Sequence, residues 1–318
     1  MSSEIKQMFL ERVKGPVFPI PTPFNREGQV NFRKIREYVD FLLQEGARTL
    51  MVTVGAARFA VLTIEEMKKV NETVVDSASG KAFTIVTTPD SGSTQQAIEF
   101  ARHAEEIGAD GILAVFPDRY YTEDGVYRFF EDISRSCSIG VLVHAMPIRA
   151  GRETLGPKIN YSPELIERLA GIDNMVGTKE ESGDKALEYK YNRLFQGRFL
   201  IIGSAGMRAF LSDYQWGQQA YIVSIGNVAP EIELGFYSAL ANGDYEKARQ
   251  IVFEKEERFL DGGIDVGWHL GLKEALECAG LMEAWERKPI ERLDAEGKKK
   301  IESIITELNL KNANHVSL

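Results

Sequence analysis

Short apolar runs alternate with amphipathic stretches along the first 242 residues of this chain, and that alternation restricts the folds open to it. Val17-Phe18-Pro19-Ile20 comes first. A helix is predicted from about Asn31 to Glu45, where Phe32, Ile35, Val39 and Leu42 recur at three- and four-residue steps and Gly46 closes the pattern. The later apolar runs are Thr49–Val54, Phe83–Thr87, Gly111–Phe116, Gly140–His144, Met175–Lys179, Phe199–Gly203 and Tyr221–Ser224. Between them, Thr63 and Glu66 form a capping-box signature, and Ser93 to Ile107 and Thr122 to Arg135 read as helices. Ser162-Pro163-Glu164 opens another. Strands that are apolar almost throughout belong in a parallel sheet covered on both faces. Eight βα units at even spacing predict a (β/α)8 barrel over residues 15–242. A doubly wound sheet is the rival, but the first strand holds prolines where a dinucleotide-binding turn needs glycines. Beyond Asn242-Gly243-Asp244 only helical periodicity remains, in Tyr245–Leu260, Trp268–Ala279 and Ala295–Leu308. These predict a C-terminal helical region over 243–310, with 1–14 an N-terminal extension and 311–318 a tail.

A net charge of -9 and a pI near 5.2 exclude nucleic acid as a partner, since no basic stripe is offered to phosphates. No apolar run approaches the length of a membrane span, and the first residues lack the apolar stretch of a secretory signal. The two cysteines, Cys137 and Cys278, are far apart and not at metal-ligand spacing, which suits a reducing cytoplasm. A site for acidic ligands in so acidic a chain requires local positive charge.

Lys179 carries the most chemical information. It ends the run Met175-Val176-Gly177-Thr178-Lys179, and strict alternation puts Met175, Gly177 and Lys179 on one face. Burial disfavours the charged form of an amine, and a free amine attacks carbonyls. The plainer alternative is an ion pair with Glu180 or Glu181 on a rim loop. The same parity rule sends Gly140, Leu142 and His144 toward the lumen.

In order along the chain, several segments resemble the dihydrodipicolinate synthase/N-acetylneuraminate lyase family of class I (Schiff-base) aldolases. They are Pro21-Thr22-Pro23-Phe24, Leu62-Thr63-x-Glu65-Glu66, Ala101-Arg102-His103-Ala104-x-x-x-Gly108-Ala109-Asp110, Val176-Gly177-Thr178-Lys179-Glu180-x-Ser182-Gly183-Asp184 and Asn227-Val228-Ala229-Pro230-Glu231. The likeness runs from about Gly15 to Leu310. It implies a (β/α)8 barrel in which Lys179 forms an imine with pyruvate or another 2-oxo acid. It also implies substrate-binding positions at Arg149, Gly55, Ala56 and Ile222, and a homotetramer built as a dimer of dimers. No cofactor or metal is expected, because an iminium is itself an electron sink.

Three departures from the family pattern bear on the substrate. The loop after strand two commonly reads Gly-Thr-Thr-Gly-Glu; here it is Val54-Gly55-Ala56-Ala57-Arg58, with the hydroxyls gone and backbone donors kept. Arg58 either adds charge to the site or is a structural loop arginine. Strand five usually ends in a tyrosine, and this chain has His144-Ala145-Met146-Pro147. His144 is either the acid/base that replaces the phenol or a satisfied core residue. The tyrosine pair after strand four is displaced, so that Tyr120 either reaches the chemistry or belongs to a helix-entry loop. The expected function is a lyase acting on pyruvate or a related 2-oxo acid, such as a 2-oxo sugar acid. A dehydratase using the same imine and a non-catalytic 2-oxo acid-binding barrel are the alternatives.

Overall fold

The apolar runs form eight parallel strands that close on themselves, surrounded by helices. A computed structural model describes residues 2–117, 122–149 and 157–310. The barrel strands are β1 (Gly15–Pro19), β2 (Thr49–Met51), β3 (Phe83–Thr87), β4 (Gly111–Ala114), β5 (Gly140–Ala145), β6 (Met175–Glu180), β7 (Leu200–Gly203) and β8 (Ala220–Ile222). Each pairs with its neighbours in sequence, and β8 meets β1 through Ala220–Gly15, Tyr221–Pro16 and Ile222–Val17. The chain is therefore a (β/α)8 barrel with a helical C-terminal region. Among the described residues no helix is long and apolar enough to cross a membrane.

The apolar character of the strands at every position has a direct cause. Val17, Met51, Ile85, Leu113, Leu142, Leu200 and Ile202 fill the lumen. Their neighbours of opposite parity, among them Phe18, Leu50, Val86, Ile112, Val143 and Ile201, join the layer between strands and helices. Several helices start where a side chain supplies an acceptor for their first N–H groups. Asn31 caps Phe32–Gln44, Thr63 and Glu66 complete a capping box on Ile64–Ala78, and Ser162 caps Pro163–Ala170.

Strict alternation fails in β6. Met175 lies in the outer layer and Val176 in the lumen, the reverse of the parity expected from the sequence. The ladder to β5 explains it: Val141 pairs with Met175 but Leu142 pairs with Gly177, so Val176 is an extra residue. Past this bulge the register resumes, with His144 opposite Lys179. Gly177 serves the strand packing, since a Cβ there would lie 2.5 Å from the Leu200 carbonyl oxygen.

The amino-terminal end of the barrel is stoppered by helix Ser2–Arg12. Its Phe9 is fully buried and packs edge-on against Phe83, with ring centroids 4.8 Å apart. β4 and β5 both begin with glycine because the Phe9 ring fills the space. A Cβ on Gly140 would lie 2.3 Å from that ring and one on Gly111 2.6 Å away. At the other end, the C-terminal helices lean over the mouth. The helix predicted from Tyr245 continues through a π-helical segment, Val252–Glu256, into Glu257–Asp265, and Trp268–Cys278 follows.

Candidate active site

Lys179 stands at the carboxyl end of β6, 4% exposed, and opens onto a cavity of about 610 Å³ at the barrel mouth. Register decides its company. His144 lies directly opposite on β5, and its Nε2 is 3.1 Å from Lys179 Nζ. Glu181 is two residues beyond Lys179 and so projects to the same side. Its Oε2 ion-pairs with Lys179 Nζ and sits 2.7 Å from His144 Nε2. Three atoms that can each carry a proton thus meet within one hydrogen-bond length of one another. His144 Nε2 can donate to Glu181 or accept from Lys179, but not both at once, so moving one proton exchanges the two arrangements. His144 Nδ1 is buried without a partner among the described residues.

Charge at this cluster is set by competition. Burial and the positive charge of Lys179 lower His144 to about 4, against the opposing influence of Glu181. The ring is therefore neutral at pH 7 and free to accept a proton. Burial alone raises the Glu181 carboxyl, but Lys179 and His144 outweigh it and hold the group well below the usual carboxylate range. The adjacent Glu180 is pushed up to about 7, chiefly by burial, which outweighs the hydrogen bonds from Ser182 and the weaker pull of Lys185.

Across the cavity, Gly55–Ala57 forms a 3-10 turn after β2. Ala57 N–H donates to the Val54 carbonyl, whereas Gly55 and Ala56 occupy first-turn positions whose N–H groups have no acceptor within the turn. Arg58 follows with φ 58 and ψ 34, a left-handed conformation that costs a non-glycine residue about 1–2 kcal/mol. Its Nε and Nη2 donate to Glu286 Oε1 at 3.2 and 2.8 Å, and the Glu286 side chain is 1% exposed. His269, from helix Trp268–Cys278, lies against Gly55 and is lowered by burial and then by Arg58.

Of the residues singled out from the sequence, Lys179, His144, Gly55, Ala56 and Ile222 all line this cavity, and so does Arg58. Arg149 lies on a two-stranded ribbon, Ile148–Arg149 with Lys158–Ile159, half-buried and not among the cavity-lining residues. Tyr120 lies outside the described residues. The sequence offers Glu180 or Glu181 as an alternative ion-pair partner of Lys179; the structure has the pair with Glu181 and adds His144 to it, and the two-residue spacing from Lys179 is the available signal. His269 and Glu286 had no such signal, because long-range packing of the C-terminal region brings them here.

The comparisons agree with this architecture. The model of the Dihydrodipicolinate synthetase family matches residues 12–308. A 4-hydroxy-tetrahydrodipicolinate synthase of Trichlorobacter lovleyi is 30% identical over 304 residues, covering 93% of this chain and 99% of that protein. One from Methanosphaera stadtmanae is 27% identical over 300 residues, covering 91% and 96%. Among solved structures, dihydrodipicolinate synthase from Bacillus clausii superposes with a TM-score of 0.84 at 22% identity, covering 95% of this chain and 99% of that one. N-acetylneuraminate lyase from Mycoplasma synoviae gives 0.83 at 22%, covering 94% and 99%. At that identity the two structures speak for the fold alone. The chain belongs to the dihydrodipicolinate synthetase family, whose members are lyases of the aldolase type.

Proposed function

We propose that Lys179 forms an imine with the C2 carbonyl of pyruvate or a related 2-oxo acid, and that the protein makes or breaks the C3–C4 bond of such acids. The observation that carries this reading is a buried amine at the carboxyl end of β6, facing the cavity at the barrel mouth, with two proton acceptors in contact. Attack of Nζ on C2 and loss of water give an iminium. In the cleavage direction a base takes the C4 hydroxyl proton, the C3–C4 electron pair moves toward the iminium, and an aldehyde departs. The resulting enamine is protonated at C3, and water releases pyruvate and the amine.

His144, neutral at pH 7, is the acceptor for the hydroxyl proton. Glu181 holds the imidazolium and the iminium by charge and orients both. The N–H groups of Gly55 and Ala56 bind the substrate carboxylate, and Arg58, held by Glu286, adds positive charge beside them. Ile222 packs against the bound acid from β8. Arg149 on its ribbon remains a candidate for a second acidic group. The homotetramer implied by the resemblance is a separate proposal for light scattering, since one structural neighbour is described as a monomeric dihydrodipicolinate synthase variant.

The test is borohydride reduction in the presence of pyruvate, followed by intact mass. The wild type is expected to gain one reduced pyruvyl group and Lys179→Ala none. No gain with pyruvate or any other 2-oxo acid would favour a non-catalytic barrel.

A further inference from the structure

Several polar side chains at the barrel mouth are engaged by the protein itself, while Asn227 Oδ1 and His144 Nδ1 are buried without a partner among the described residues. Ser204 Oγ donates to the Glu180 carbonyl at 2.6 Å. Ser224 Oγ donates to Glu256, and its N–H donates to Glu233 at 3.0 Å. Asn227 Nδ2 donates to the Pro19 carbonyl and the Tyr38 hydroxyl at 2.7 and 2.9 Å. Arg58 is held by Glu286, and Arg208 donates to Asp261 at 2.9 Å. The same cavity is also lined by Phe59, Leu260, Ile264, Trp268, Leu272 and Ile290. Four of these six come from the two helices Glu257–Asp265 and Trp268–Cys278. Trp268 is fixed edge-on against Phe259 with centroids 6.0 Å apart.

A polyhydroxylated chain entering this space would lose water from each hydroxyl and find few free partners, which is costly. An aromatic or branched alkyl group would bury apolar surface against apolar surface. We infer that the group carried on C4 of the substrate is apolar, an aryl or alkyl substituent, so that the protein cleaves 4-hydroxy-2-oxo acids to pyruvate and an apolar aldehyde. This departs from the sugar acid expected from the sequence, and it rests on the imine chemistry proposed above. The balance is that of a retro-aldol step. The C4 hydroxyl loses its proton and becomes the aldehyde carbonyl, C3 gains a proton, and the water released on imine formation is taken up again on hydrolysis.

The experiment compares pyruvate release, coupled to lactate dehydrogenase, from 4-hydroxy-2-oxo-4-phenylbutanoate and from a 2-oxo-3-deoxyhexonate, alongside the borohydride trap with pyruvate. The expected result is a trapped adduct and a kcat/KM about a hundredfold higher for the phenyl compound. An adduct with equal or better cleavage of the sugar acid, or with cleavage of neither, overturns the apolar subsite and leaves the imine standing. No adduct removes both. Ile264 lines the cavity yet is 52% exposed, so Ile264→Asn is tolerated by the fold. It is expected to raise KM for the phenyl compound about tenfold at little change in kcat. An unchanged KM would contradict the subsite as drawn.

Discussion

The two ends of the barrel are built from opposite materials. At the amino-terminal end, Phe9 drives into a space that Gly111 and Gly140 keep open and joins the apolar cluster of the lumen. At the carboxyl end, an amine, an imidazole and a carboxylate crowd together beneath a cavity. The first arrangement is a close packing of rings and aliphatic groups around Phe9, none of which titrates. The second has several positions for one proton and space for a ligand. In parallel barrels, stability is concentrated at the one end and chemistry at the other. The difference also explains why burial alone does not set ionisation: Glu180 and Glu181 are adjacent, yet one is pushed up by burial and the other is held down because it is in contact with Lys179 and hydrogen-bonded to His144.

The comparison breaks if substitutions at the two ends have the same kind of effect. The largest loss is expected for Lys179→Ala, which should lower kcat by about 10^4-fold or more while leaving thermal stability near the wild type. Steady-state kinetics with scanning calorimetry check both halves. Phe9→Ala should do the opposite. It should cost about 3–5 kcal/mol of stability by denaturant titration, with kcat/KM of the folded fraction unchanged. A drop in activity per folded molecule would mean that the two ends communicate.

Smaller effects sharpen the picture of the cluster. Glu181→Gln keeps the shape but removes the charge that holds His144 and Lys179, and a loss of about a hundredfold in kcat is expected. Its pH–rate profile should differ from wild type; a parallel profile at the same height would make Glu181 a bystander. His144 also writes a signature into stability. Its value of about 4 lies below the ordinary 6.5, so the unfolded chain binds more protons than the folded one between those limits. That contribution is complete above pH 6.5 and is lost as pH falls toward 4, by at most about 3 kcal/mol. His144→Phe should lack this segment of the curve when melting is followed from pH 7 to 4.

Much of this was open to a reader of the sequence. The period-two rule placed His144 in the lumen, and Asn31, Thr63 and Ser162 marked helix starts that the fold uses. The same rule failed at Met175 and Val176, because a bulge inserts a residue without leaving any mark in the hydrophobic pattern. Glu181 was within reach of the rule, two positions from Lys179. Phe9, His269 and Glu286 were not. Their roles depend on where helices distant in sequence come to rest, and local periodicity carries no information about that.

Lys273 supplies a natural control for the central claim. It is 2% exposed and lowered to about 8 by burial, but its Nζ donates to the Thr22 and Trp285 carbonyls and it does not line the cavity. Peptide mapping of the borohydride-reduced pyruvate adduct therefore separates a buried amine placed for chemistry from one placed for structure. The reduced pyruvyl group is predicted on the peptide containing Lys179 and on no other. Its appearance at Lys273, or spread over surface lysines, would contradict the account.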